Sequence, residues 1–436
     1  MTLVSLRFSG SLDGLRPADR TALLDRRPPD DDLLRDTVAA TIDVIRREGD
    51  SALRSLIREY DGVNLKTLEV PSERCREALE RLAPPLRAAL ERAVRNIEIV
   101  HRSMLPVATT VVPEPGIVVT RRPVPLDRVG VYAPGGKAAY PSSVLMGAVP
   151  ARVVGVREVI LCTPPDSSGR PSDVVLAASA LAGVDRVFAA GGAGAIAAMA
   201  YGTETIPRVD RIVGPGGAWV TEAKLQVSRA VSIDGPAGPS ELLVLADETA
   251  DPAVVAREMI AQAEHDEAAC VVAVALGVEQ ADRIEGSLLA QASATRRSDI
   301  VRKALAGQGG VLSTNSREQA LAFANAYAAE HLLLAVADPA PWQNEIRNAG
   351  AVFVGATSSV AFGDYMTGAN HVLPTGGLAR AYSGLSSSDF VRWVSEQRVD
   401  GQGAASLASD VAALAEVEGL DGHARAARAW TSGESI

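Results

Sequence analysis

The chain has 436 residues, 47% of them hydrophobic and 22% charged, with a formal net charge of −10. That length exceeds what one hydrophobic core usually serves and implies two or more lobes, while the acidic balance without a basic cluster argues against nucleic acid as a partner. No apolar run reaches the ~18 residues a membrane span needs, and the start "MTLVSLRFSGSLDG" lacks the basic and long apolar regions of a leader, so a cytoplasmic globular protein is expected.

Apolar positions three and four apart predict two amphipathic helices over 33–60, broken near Gly49. A further helical stretch over 72–104 is interrupted at Pro84 and Pro85, and "DRRPPDDD" at 25–32 reads as a hinge to an N-terminal arm. From residue 117 the pattern changes. Short apolar runs, "EVILCTPP", "RVFAAGG", "RIVGPGG" and "SIDGPAG", each end in a Gly/Pro turn and alternate with Ala-rich helical segments. This βαβ punctuation implies a parallel sheet covered by helices on both faces. A second series starts at "ELLVLADE", passes through a helix opened by Asp251-Pro252, and continues in the strands "CVVAVAL", "GGVLST", "HLLLAV" and "AVFVG". The expected fold is α/β, with two similar Rossmann-like lobes at 117–238 and 239–385. An N-terminal arm and helical region, 1–116, precedes them, and a helical tail, 386–436, follows.

The three cysteines, Cys75, Cys162 and Cys270, have no metal spacing and read as small buried hydrophobes. The turns "APGGKAAYP", "AAGGAGAIAA" and "VGPGGAW" follow predicted strands. Each reads either as a plain strand-to-helix turn or as an anion cradle, and together they mark a ligand-binding sheet edge. Of five histidines, His101 reads as a surface or satisfied helix residue, whereas His265, His331, His371 and His423 sit at element ends beside polar neighbours. Gln262 and His265 are three apart on one helical face, a spacing that can present two ligands to one ion, with Asp364 and His423 as further donors. Such a set without thiolate has the character of a catalytic site suited to zinc and tolerant of manganese or cobalt. On spacing alone a helix-terminal histidine satisfied locally is the commoner outcome. Glu330 and His331, side by side where a helix yields to a strand, suit an acid–base pair, because partial burial raises a carboxyl pKa and a carboxylate supports imidazolium. An exposed glutamate beside a helix-end histidine remains the plainer alternative.

Taken together, "REGDSALRSLIREYDGV", "VGVYAPGGKAAYPSSVLMGAVPA", "AAGGAGAIAAMAYGTETIPRVDRIVGPGG", "DGPAGPSELLVLAD", "AQAEHDEAA", "NAYAAEHL", "FGDYMTGANHVLPTGGLARAYSGLS" and "EGLDGHA" resemble the histidinol dehydrogenase family over nearly the whole chain. The resemblance implies a zinc-dependent enzyme of histidine biosynthesis that oxidises L-histidinol through the aldehyde to L-histidine with two NAD. It implies one zinc per subunit, held by Gln262, His265 and Asp364, with His423 supplied by the partner in a homodimer whose C-terminal helical tail reaches across. His331 is then the general base and Glu330 the activator of water. Ser240, His371 and Glu418 match substrate-contacting positions, as do the four zinc ligands and His331, and Tyr132 matches a cofactor-contacting tyrosine. Two departures stand out: Gly194 replaces a glutamine and Gly217 an asparagine that contact NAD in the family. Losing both removes about 1 to 3 kcal/mol of hydrogen bonding. The altered turns leave room for a paralogue acting on another small alcohol, such as sulfopropanediol or an amino alcohol, or for an inactive metal-binding homologue. Retained Glu418 and His423 favour a histidinol-like ligand, and intact Glu330 and His331 favour an active enzyme.

Overall fold

The structure, a computed structural model, describes residues 4–26, 31–135 and 138–431. Half of the 25–32 hinge, 27–30, and the centre of the "APGGKAAYP" turn lie outside the described residues. In chain order the strands are β1 (Phe8–Ser11), β2 (Glu69–Val70), β3 (Thr109–Val111), β4 (Ile117–Pro125), β5 (Arg128–Tyr132), β6 (Glu158–Thr163), β7 (Arg186–Ala189), β8 (Arg211–Val213), β9 (Ser232–Ile233), β10 (Glu241–Ala246), β11 (Cys270–Leu276), β12 (Gly309–Thr314), β13 (His331–Ala335), β14 (Ala351–Val354) and β15 (Val391–Val399).

Two six-stranded sheets repeat one plan. The first runs β2-β7-β6-β5-β8-β9 and the second β1-β12-β11-β10-β13-β14. In each, the first strand of the series lies central, the next two step outward on one side, and the last two occupy the other side. All pairings are parallel except β2 with β7. Residue alternation explains why these strands read as unbroken apolar runs. Val129, Val131, Val159 and Leu161 join one buried cluster, while Tyr132, Ile160 and Cys162 join another on the opposite face. In the second sheet Leu242, Val244, Leu333 and Ala335 face one core and Leu243, Leu245, Leu332 and Leu334 the other. A sheet buried on both faces has no polar side to show.

The predicted break at Gly49 is a kink inside the helix Asp32–Tyr60, where Gly49 has φ 52° and ψ −129°. A Cβ there would lie 2.2 Å from Glu204 Oε2, which accepts from the Asp50 N–H at 2.8 Å, so only glycine fits. The helices Ser72–Arg81 and Pro84–Ser103 meet at the expected prolines.

Two parts of the chain differ from the sequence reading. The N-terminal arm is divided: β1 extends the second sheet and β2 the first. The tail expected to be helical opens with β15, which pairs with β4 over nine residues in a separate antiparallel sheet, β15-β4-β3. The β-branched and aromatic residues of "VRWVSEQRV" favour a strand, although Trp393 and Val394 side by side break the period of two. The helices Gly401–Val417 and Asp421–Arg428 follow. Among the described residues, no helix is long and apolar enough to cross a membrane.

Candidate active site

Residues 234–240 lead from the end of β9 in the first sheet to the start of β10 in the second. The carboxyl edge of the first sheet is thereby joined to the amino edge of the second. The Asn370 amide, which donates to Met146 O at 2.8 Å, also bridges the two halves, and Asn96, on the helix Pro84–Ser103 that packs with the first sheet, donates to Met366 O at 2.7 Å. The second sheet thus contributes its amino edge, the opposite of the edge an open α/β sheet ordinarily offers to ligands.

Glu330 and His331 stand at that edge, both buried, with His331 opening β13. Glu241 opens the neighbouring β10 and grips both. Its N–H donates to Glu330 Oε2 at 2.7 Å, its carboxylate accepts from the Glu330 N–H at 3.3 Å, and its carbonyl lies 2.9 Å from His331 Nδ1. A carbonyl can only accept, so Nδ1 carries the proton of that bond and Nε2 is the ring nitrogen left for chemistry. Nε2 has no hydrogen bond and lies 3.5 Å from Asp364 Oδ1. His331 shares the face of Leu333 and packs its ring 5.8 Å from that of Phe353.

Burial holds the Glu330 carboxyl above its ordinary pKa against the pull of His331. Burial alone would lower His331, but the carboxylates of Glu330 and Asp364 outweigh it and raise the ring to about 10. For Asp364, burial would raise the carboxyl, and the imidazoles of His331, His371 and His265 overcome it and hold the group low. Burial lowers His371, whose Nδ1 donates to Asp364 O at 2.9 Å.

The structure therefore brings Glu330, His331, Asp364, His371 and His265 into one electrostatic neighbourhood. Gln262 is buried near the end of the helix Pro252–Ala263, and His265 is exposed two residues beyond that helix. That helix is tied to Asp364 by Glu258, whose carboxylate accepts from the Val360 N–H at 3.0 Å and caps the helix Val360–Tyr365. Among the described residues no group of three His, Cys, Asp or Glu is poised to hold a metal. Gln262, His265 and Asp364 together make an amide, an imidazole and a low-pKa carboxylate, a donor set that fits zinc and needs a further ligand to close it. Ser240 is half-buried, and its carbonyl accepts from the Cys270 N–H. Glu418 and His423 stand exposed on the C-terminal helical pair, with no hydrogen bond or ion pair to this cluster.

On the first sheet, the Tyr132 hydroxyl is buried and accepts from the Gly192 N–H at 3.1 Å, and burial pushes its pKa up to about 12. The "VGPGG" turn is pinned by a buried ion pair of Lys224 with Asp234. Lys224 donates to Gly214 O at 3.1 Å, and Asp234 accepts from Gly214 N–H at 2.7 Å. Gly214 has φ +118°, with Tyr132 O only 2.1 Å from where a Cβ would sit. The three cysteines are free and buried as expected, but His101 is buried rather than at the surface. Its Nδ1 lies 3.4 Å from Ser387 Oγ and its Nε2 has no partner.

The sequence reading missed Glu241, Glu258 and Arg26. A charge heading the apolar run "ELLVLA" is a signal for Glu241; nothing in the pattern singles out the other two.

A buried acid–base pair beside a candidate metal set, on a doubly wound α/β frame, is an arrangement suited to oxidising an alcohol, and comparison with known proteins agrees. The family model described as histidinol dehydrogenase matches residues 24–430. Histidinol dehydrogenases of Methanosarcina mazei and Halobacterium salinarum are each 47% identical to the chain, over 90% and 93% of it and 91% and 95% of their own lengths. The crystal structure of histidinol dehydrogenase from Elizabethkingia anophelis superposes with a TM-score of 0.94 at 33% identity, covering 99% of each chain. Fold, site and relatives define an enzyme of the dehydrogenase class. The chain belongs to the histidinol dehydrogenase family.

Proposed function

We propose that the protein oxidises L-histidinol through the aldehyde to L-histidine, with two NAD per turnover and one zinc per subunit, as a cytoplasmic homodimer. The observation that carries the chemistry is the His331 ring: Nδ1 is held by the Glu241 carbonyl while Nε2 is unpartnered and turned toward Asp364. In this reading Nε2 removes the hydroxyl proton of the substrate once the ring has given up the proton that the carboxylates of Glu330 and Asp364 hold on it. Glu330, with its pKa lifted by burial, draws the proton from the water that hydrates the aldehyde. Ser240 and His371 contact the substrate from the same edge, and the partner subunit's Glu418 does so from across the dimer.

Gln262, His265, Asp364 and the partner subunit's His423 hold the zinc. Bound there, zinc would anchor and polarise the substrate, and NAD, for which the 117–238 half with Tyr132 is the proposed site, would supply the hydride acceptor. The 239–385 half carries the metal and catalytic residues. A second copy is supported by Leu414, Val417, Leu420 and Trp430, which are 43–89% exposed on the helical pair that bears Glu418 and His423. Free buried cysteines suit a reducing compartment. With Gly194 and Gly217 in place of two amide side chains, dinucleotide binding is weaker than a Gln/Asn site would give.

NADH formation with L-histidinol tests the reading. Two NADH per histidinol are expected, with loss of activity on chelation and recovery on adding zinc. No NADH from zinc-loaded protein at saturating NAD overturns it.

A further inference from the structure

We infer that Arg26 is a positioning residue for the reaction: its guanidinium clamps Glu241 and the end of the helix Arg317–Tyr327, and through them fixes where Glu330 and His331 stand. This rests on the assignment of Glu330 and His331 given above. Arg26 is 6% exposed and Glu241 1%. Arg26 Nε and Nη2 donate to the two Glu241 carboxylate oxygens at 2.9 and 3.0 Å, and Nη2 also donates to Tyr327 O at 2.7 Å. The guanidinium carbon lies 3.5 Å from the centroid of the Tyr327 ring, and Nη1 donates to Leu23 O at 3.2 Å. A planar fork that pairs edge-on with a carboxylate while its face stacks on an aromatic ring is a geometry lysine cannot copy.

What lifts this above an ordinary buried ion pair is the residue it closes on. The Gly376 N–H also donates to Glu241 Oε1 at 2.7 Å, so the Glu241 side chain is held from two directions. Both main-chain polar groups of Glu241 are engaged by Glu330 and His331. Tyr327, the other anchor, precedes Glu330 by three residues. Between them lies Ala328, whose φ of 52° is the one positive value at a non-glycine among the described residues. Arg26 therefore grips the segment on one side and the strand that receives it on the other. Loss of that grip lets the catalytic pair drift, although no bond of Arg26 itself reaches Gln262, His265 or Asp364.

Arg26→Lys and Arg26→Met in the full-length, zinc-loaded protein test this, with kcat and KM measured alongside the proton NMR signals of the imidazole N–H groups. The His331 Nδ1–H signal is assigned by its absence in His331→Asn. We expect KM for L-histidinol to stay within about twofold while kcat falls about tenfold in Arg26→Lys and further in Arg26→Met. The His331 signal moves upfield as its bond to Glu241 loosens. An unchanged signal and unchanged kcat per folded, zinc-loaded site overturn the inference, as does a loss of activity that only tracks the unfolded fraction. Should Arg26→Met fail to fold, Arg26→Lys, which keeps the charge, decides the matter. If the wild-type protein forms no NADH, the functional reading falls, and the His331 signal still decides whether Arg26 positions the ring.

Discussion

The main-chain N–H of Glu241 donates to the Glu330 carboxylate at 2.7 Å, and the Glu330 N–H returns the bond to the Glu241 carboxylate at 3.3 Å. This clasp joins two parallel strands at the edge where they begin. Burial still raises the Glu330 pKa, because this N–H and the His331 ring compensate its charge only in part.

A division of labour between Glu330 and His331 follows. His331→Asn should lower kcat by about 10²- to 10⁴-fold, the usual worth of a general base. Glu330→Gln should stall the second oxidation and release about one NADH per histidinol instead of two. Counting NADH in a single turnover separates these outcomes, and two NADH at the wild-type rate from Glu330→Gln would remove Glu330 from the water-activating role.

Glu258 couples the helix that bears Gln262 to the short helix that bears Asp364, through its bond to the Val360 N–H. Glu258→Ala breaks that cap, at a cost of about 1 kcal/mol of local stability. Misplacing Asp364 should weaken zinc binding about 10- to 100-fold, as loss of an outer partner does in other metal sites. Titration of the metal-free protein with zinc against a competing chelator gives the answer; wild-type affinity would show that the cap does not orient the set.

The two glycine departures are sterically unequal. A Cβ at Gly217 meets nothing within 4 Å, whereas one at Gly194 would lie 3.1 Å from Leu53 Cδ1 and 3.2 Å from Leu56 Cδ1. Gly217→Asn should therefore fold normally and bind NAD about 2- to 10-fold more tightly, one hydrogen bond's worth. Gly194→Gln must displace buried Leu53 and should cost about 1 to 3 kcal/mol of stability. Calorimetric NAD titration and thermal melts distinguish them, and unchanged NAD affinity in Gly217→Asn would sink the weakened-site idea.

Burial lowers His101 below its ordinary value of 6.5, against a small opposing pull from Asp389. As pH falls through 6.5, the unfolded chain binds this proton before the folded one, so stability decreases until the folded value is passed, by about 1.4 kcal/mol per unit of depression. His101→Gln should flatten the dependence of the urea midpoint between pH 7.5 and 5.5, leaving the part due to other buried groups such as His371. An unaltered slope would mean that His101 does not titrate in this range.

Much of the architecture was legible in the sequence because it rests on local rules. Strand runs ending at Gly/Pro turns, the break at Gly49 and the helix starts at Pro84 and Asp251-Pro252 depend on residues near one another in the chain. Motif resemblance also selected Gln262, His265, Glu330, His331, Asp364 and His371, five of which the fold draws into one electrostatic neighbourhood, with Gln262 buried on the helix that leads to His265. The tertiary structure alone decided the rest. That the second sheet offers its amino edge follows from the 234–240 connection, and β15 became a strand because β4, some 270 residues earlier, presents an edge to pair with. Arg26 meets Glu241 across 215 residues and Tyr327 across 301, separations over which no periodicity carries information. Only the folded chain shows why a charge stands at the head of "ELLVLA": in a dry interior a carboxylate persists where a cation and main-chain donors surround it, and those partners come from three separate parts of the sequence.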